Sequence, residues 1–139
     1  MTVRPFTPAL DILKQAKLRP TRQRLALTRI LFGRGHRHVS AEQLHGEAQS
    51  ANVRVSLATV YNTLHQLNRL GLLREVVVEP GRSYFDTNMA DHHHFYFEDH
   101  ARLEDIPAER VILSALPEPP AGTRVRRVDV VVRVGSDKN

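Results

Sequence analysis

The chain has 139 residues, 41% hydrophobic and 25% charged, the balance of an ordinary globular protein of one domain or two very small ones. No apolar run approaches the roughly 20 residues needed to cross a bilayer, and the lead Met1–Leu10, with Arg4, Pro5 and Pro8, lacks the apolar core of a secretion signal, so a cytoplasmic protein with no membrane partner is expected. Cysteine is absent, which excludes disulfides, thiol nucleophiles and a cysteine-ligated structural zinc; the net charge of +5 is uneven, with 12 Lys/Arg against 4 Asp/Glu over residues 1–75 and 8 against 11 over residues 76–139.

Ala9 to Lys17 reads as a first helix, with Leu10, Leu13 and Ala16 at helical spacing. Pro20 closes the connection, and Thr21 caps a second helix whose apolar residues include Leu25, Leu27, Ile30 and Leu31. It should stop at Gly33-Arg34-Gly35. Ser40 and Gln43 fit a capping box ahead of the stripe Ala41, Leu44 and Ala48, which predicts a third helix. A fourth, from near Ser56 to about Leu70, carries Leu57, Val60, Leu64 and Leu67 on one face and meets Gly71 where a C-cap belongs. The runs Leu72–Glu79 and Ser83–Thr87 flank Pro80-Gly81 and predict a β-hairpin.

Three helices and a hairpin describe a winged helix, with the fourth helix of the chain as the recognition element. Other helical bundles fit the same periodicity. Beyond Asp91 the texture changes: His94–Glu98 and Val128–Val134 are β-prone, with Pro107–Leu116 read as helical between them and Pro117, Pro119, Pro120 and Gly122 as a loop. This stretch is too short to bury a persuasive core alone. The expected class is therefore α+β: a winged helix of three to four helices plus a hairpin wing over residues 1–87, a hinge at about 86–91, and a small α/β dimerisation domain over 91–139. The valine run near the end suits a buried strand, or one buried in a two-fold interface; a homodimer, or a higher assembly of dimers, is expected.

If residues 91–98 are extended, side chains alternate. His92 and His94 then share one face, while Asp91 and His93 share the other, and one strand serves two separate sites.

The blocks Arg19-Pro20-Thr21-Arg22-Gln23-Arg24, His38-Val39-Ser40-Ala41-Glu42, Val55-Ser56-Leu57-Ala58-Thr59-Val60-Tyr61, Leu70-Gly71-Leu72 and Asp91-His92-His93-His94 follow one order and spacing. In these the chain resembles the ferric uptake regulator (Fur) family over nearly its whole length. Two departures stand out. Positions where most members carry paired zinc-binding cysteines are Phe97 and His100 here, and the cluster reads Asp-His-His-His-Phe instead of His-His-Asp-His. With Arg102–Ile106 and the Arg-Val-Asp-Val-Val-Val-Arg ending, it resembles the heme- and iron-responsive Irr subgroup.

The resemblance implies a dimeric transcriptional regulator of iron and heme genes that binds double-stranded DNA, an A/T-rich palindrome by expectation. Its DNA-binding candidates are Arg19, Thr21, Arg22, Arg24, Ser56, Thr59, Tyr61 and Asn62. Arg19 matches a minor-groove position, Arg22 and Arg24 are phosphate candidates, and Ser56 serves equally well as a simple N-cap. Tyr61 offers a ring for a thymine methyl and a hydroxyl for phosphate, and Asn62 is a base reader. The face of His92 and His94 matches the family's regulatory metal site, completed by His38 and Glu79, with Asp105 as a fifth candidate. Such a set suits Fe2+, Mn2+ or Zn2+ with little to choose among them. Asp91, His93, Glu109 and Asp129 form a second candidate set, though a structural or solvated role suits Glu109 better. Heme is the other candidate cofactor, through His93 beside Phe95 and Tyr96; His45 and His65 are better explained by ordinary polar helix faces, and the resemblance to the Irr subgroup raises them as secondary heme or metal positions.

A histidine/carboxylate metalloenzyme is the rival of another class, but no H-E-x-x-H run or nucleophile elbow occurs, and no enzyme is expected. A metal or heme carrier without DNA binding is the alternative; the basic first half discriminates against it.

Overall fold

The computed structural model describes residues 7–137, so the lead over residues 1–6 lies outside the described residues. The chain divides between Met89 and Ala90 into two compact units.

In the first unit, α1 (Thr7–Gln15) buries Ala9 and Leu13 and ends in a left-handed Lys17 (φ 58°), over which Leu18 N–H reaches back to Leu13 O at 2.9 Å. The structure stops this helix two residues before the expected Lys17. α2 (Arg22–Phe32) begins at Thr21, whose hydroxyl accepts from Arg24 N. Gly33 ends it, where a Cβ would stand 2.5 Å from Arg29 O, so only glycine fits. A two-residue strand, β1 (His38–Val39), leads into α3 (Ala41–Ser50), and the Ser40/Gln43 capping box forms in both directions. α4 (Leu57–Arg69) is capped by Ser56 and closed by Gly71 at φ 77°. The hairpin β2 (Arg74–Glu79) and β3 (Arg82–Asp86) turns at Pro80-Gly81, and β1 joins it in an antiparallel sheet of order β1-β3-β2.

The apolar faces read from the sequence meet in one core. Leu27 and Leu31 of α2, Leu44 and Ala48 of α3, and Val60, Leu64 and Leu67 of α4 pack with Val39, Leu73 and Phe85. Burial of these side chains, each contributing about 1.5–3 kcal/mol, holds α4 at a fixed attitude to the hairpin.

The second unit is a sheet of order β5-β4-β6. β4 (His92–Phe97) pairs antiparallel with β5 (Arg102–Pro107) and parallel with β6 (Val131–Val134). The helix expected over Pro107–Leu116 does not form. Pro107 closes β5 with φ −54° and ψ 140°, a short 3-10 turn covers Ala108–Arg110, and residues 111–130 have no regular structure. The reason is packing: Ile112, Leu113 and Leu116 are exposed, and a ten-residue helix without a buried face is marginal in water. The valine run likewise forms a strand only from Val131, and Val132 remains exposed. No helix among the described residues is long and apolar enough to cross a membrane.

Candidate metal ligands and nucleic-acid face

In the second unit the period-2 alternation of β4 puts His92 and His94 on one face, with ring centroids 4.6 Å apart. His94 stands opposite Asp105 of β5, so that carboxylate joins the same face. Asp105 Oδ1 lies 3.4 Å from His92 Nε2 and 3.6 Å from His94 Nε2. Both separations exceed the 2.7–3.2 Å usual for N–H···O bonds. They match the spacing of about 3.4 Å between donors that share a tetrahedral ion at 2.0–2.1 Å. His92 Nδ1 donates to Ala90 O, which fixes the tautomer and leaves a lone pair on Nε2 facing the carboxylate. Two acceptors so placed repel unless a proton or a cation lies between them. Both histidines are buried and Asp105 is exposed, so the set offers two oriented imidazoles and one carboxylate to an ion arriving from solvent.

The first unit has its own donor pair. β1 stands opposite the end of β3, and His38 Nε2 is 3.2 Å from Asp86 Oδ2, a carboxylate only 1% exposed. Asp86 Oδ1 also accepts from Asn88 N at 2.8 Å. The short strand is tied on both sides. Arg37 N donates to Thr87 Oγ1 at 2.9 Å, Thr87 N to Arg37 O at 3.0 Å, and the Arg37 guanidinium grips both oxygens of Glu47, one at 2.8 Å. That hydrogen-bonded guanidinium holds the Glu47 carboxyl below the usual glutamate range.

Glu79, the expected carboxylate partner of His38, is placed elsewhere in this unit. It pairs with Arg82 at the turn, five positions along β2 from Arg74, which faces Asp86. At about 3.3 Å per residue that is roughly 16 Å from the His38 end of the sheet. The carboxylate beside His38 is Asp86, and the pairing of β1 with β3, which makes it so, leaves no trace in periodicity.

The second expected set is not brought together among the described residues. Asp129 pairs with Arg127 at 2.8 Å, Glu109 is exposed in the 3-10 turn, and Asp91 is exposed before β4. His93 Nδ1 accepts from Val130 N at 3.0 Å, which leaves the proton of the neutral ring on Nε2. Binding a metal or heme iron at Nε2 would require giving that proton up. Of the other heme candidates, His45 Nε2 donates to Val55 O, and the exposed His65 packs on Tyr61 and Phe85.

The DNA-binding candidates all lie in the first unit. Ser56, Thr59, Tyr61 and Asn62 occupy the start of α4; Ser56 Oγ accepts from Thr59 N at 3.1 Å and donates to Thr59 Oγ1 at 2.9 Å. Ser56 therefore is an N-cap, and Asn62 is exposed. Arg19, Thr21 and Arg22 are exposed at the start of α2, while Arg24 turns back to Arg19 O at 3.0 Å and Gln66 Oε1 at 3.4 Å. Tyr61 does not offer its hydroxyl openly: it donates to Glu42 Oε1 at 2.6 Å. Sequence reasoning passed over Glu42 and Asp86, because neither contact follows from a period along one element.

The sequence profile described as the Ferric uptake regulator family matches residues 15–116. A peroxide-responsive repressor, PerR, of Staphylococcus aureus is 31% identical over 93 residues, 67% of this chain and 62% of that protein, so the chain spans less than two thirds of this curated relative. The fold is similar to the ferric uptake regulator of Pseudomonas aeruginosa solved with manganese (TM-score 0.68, 23% identity, 94% of this chain and 98% of that one). It is similar too to that of Vibrio cholerae (TM-score 0.71, 21% identity, 91% and 98%) and to a zinc-bound manganese uptake regulator (TM-score 0.66, 18% identity, 92% and 98%).

Proposed function

Because the chain belongs to the ferric uptake regulator family, we propose that it is a dimeric transcriptional repressor whose binding to double-stranded DNA responds to a divalent metal ion. The observation that carries the metal reading is the convergence of His92 and His94 on one oxygen of Asp105 at donor spacing. These three residues hold the ion, and His38 with Asp86 is the donor pair of the first unit. Metal occupancy then biases DNA binding to the extent that the ion binds one arrangement of the donors more tightly than another. The ion's contribution is charge and fixed ligand directions; imidazoles and carboxylates suit Fe2+, Mn2+ and Zn2+ alike.

DNA binding is assigned to α4 and the start of α2. The basic residues of the first unit favour a polyanion, and the first turn of a recognition helix supplies the base contacts of a winged helix. An A/T-rich palindrome suits a two-fold dimer. Exposed Ile112, Leu113, Leu116 and Val132 of the second unit support a partner covering that surface. Iron as the physiological signal, and heme beside it through His45 or His65, follow the resemblance to the Irr subgroup and are the finer part of the proposal.

The test is selection of duplexes from a random pool by the purified chain, with Mn2+, with heme and with chelator. Enrichment of a palindrome with Mn2+ and its loss with chelator is the expected result. Metal or heme binding with no enriched sequence would instead make the chain a carrier.

A further inference from the structure

We propose that Glu42 is a specificity-determining residue for DNA: it engages the hydroxyl proton of Tyr61, so that the ring of Tyr61 and not its hydroxyl is offered to the duplex. The inference rests on the reading of α4 as the DNA-facing helix.

Tyr61 lies in the second turn of α4, and Glu42 in the first turn of α3. The 2.6 Å bond between Tyr61 Oη and Glu42 Oε1 joins the two helices across solvent-accessible surface. His65, one turn further along α4, lies nearly parallel to the Tyr61 ring (14°, centroids 6.2 Å apart). Its own ring meets Phe85, a core residue, edge-on at 5.4 Å. The phenol is thus restrained at its hydroxyl by Glu42 and on its face by a histidine that the core positions. Ser40, Glu42, Tyr61, His65, Arg82 and Tyr84 line a cleft of 580 Å³, and the half-buried Tyr61 ring packs against the helical core beside it, so packing and these contacts together fix the ring.

The chemistry follows from counting protons. A phenol hydroxyl has one, and a phosphate diester at neutral pH has none to donate in return. While Glu42 engages that proton, Tyr61 cannot bond a phosphate, but its ring can pack on a thymine methyl. The hydrogen bond from Tyr61 and the nearby Arg82 keep the Glu42 carboxylate ionised, and the same bond raises the Tyr61 phenol above its usual range. The ionised carboxylate repels neighbouring phosphates. That repulsion lowers the affinity for every duplex alike, whereas the engaged proton removes a phosphate bond open to any sequence and leaves base contact in place, which sharpens discrimination.

The duplex enriched by the wild-type chain and a scrambled duplex of equal composition are the probes, titrated in Mn2+ against wild type, E42A, E42Q and Y61F, with far-UV circular dichroism confirming the fold. E42A should tighten the scrambled duplex and reduce the specific-to-scrambled ratio about tenfold, as the freed hydroxyl donates to a charged oxygen. E42Q, whose amide oxygen still accepts the hydroxyl, should hold the ratio within about twofold while both affinities rise. Y61F should leave the ratio within about twofold of wild type, and adding Y61F to E42A should restore most of it. Phenolate absorbance, referenced to Y61F, reads the bond itself, and its midpoint should fall in E42A. An unchanged midpoint or ratio in E42A, or a loss in Y61F as large as that in E42A, overturns the proposal. No enriched duplex with wild type overturns the reading of α4, and the specificity role of Glu42 with it, and differs visibly from an enriched duplex that E42A treats no differently.

Discussion

Across the β4–β5 ladder His94 stands directly opposite Asp105, and the two side chains converge until His94 Nε2 is 3.6 Å from Asp105 Oδ1. His92, two residues earlier on the same face, reaches the same oxygen at 3.4 Å. One carboxylate oxygen facing two imidazole nitrogens at 3.4 and 3.6 Å is an arrangement that a bound cation stabilises.

Metal binding should accordingly depend on His92 and not on His100, an exposed turn residue after β4. H92A is expected to weaken Co2+ binding by about tenfold or more, with loss of the visible ligand-field bands, as removal of an oriented ligand does. H100A should titrate like wild type. Equal effects of the two substitutions would argue against the triad.

Asp86 and Glu79 separate the structure from the sequence expectation. D86N removes the carboxylate 3.2 Å from His38 and should reduce the Mn2+ dependence of DNA binding, read by fluorescence anisotropy. E79A, at the turn end of β2, should leave that dependence within about twofold of wild type, because it lies roughly 16 Å from His38 along the sheet. The reverse pattern would restore Glu79 as the ligand.

Acid should loosen the tie between β1 and α3. Arg37 holds the Glu47 carboxyl below its usual value of 4.5. A depressed carboxyl contributes stability above its unfolded-state value and loses it as pH falls through the lowered folded-state value. E47Q should therefore cost about 1 kcal/mol in urea unfolding at pH 7, allowing for partial exposure, and progressively less as pH falls below about 4.5. A difference that grows on acidification would contradict the assignment.

The exposed apolar residues after β5 should report on self-association. Ile112 is 86% exposed, and Leu113 and Leu116 are exposed with it. I112S/L113S is expected to weaken the dimer about tenfold by sedimentation equilibrium, with far-UV circular dichroism unchanged. A dimer as tight as wild type would place the interface elsewhere.

The four helices and the hairpin of the first unit were legible because each is specified locally, whereas β1 forms only by pairing with β3. Thr21, Ser40/Gln43, Ser56 and Gly71 mark helix ends through bonds made within a few residues, and the stripes of Leu27, Leu31, Leu44, Leu64 and Leu67 repeat at the helical period. Pro80-Gly81 marks the hairpin in the same way. Where local preference found no packing partner it failed: Pro107–Leu116 has helical spacing but no surface within the described chain to bury it.

By itself the sequence determined the winged-helix succession, the absence of any thiol ligand, and the shared face of His92 and His94, because covalent alternation along one strand needs no tertiary information. Only the tertiary structure decided which groups answer them. Asp86 meets His38 through the β1–β3 ladder, Val130 occupies His93 through the parallel pairing of β4 with β6, and Glu42 reaches Tyr61 across two helices. Each of these contacts joins residues at least 19 positions apart, and such pairs are set by strand register and helix packing, which no period along a single element records.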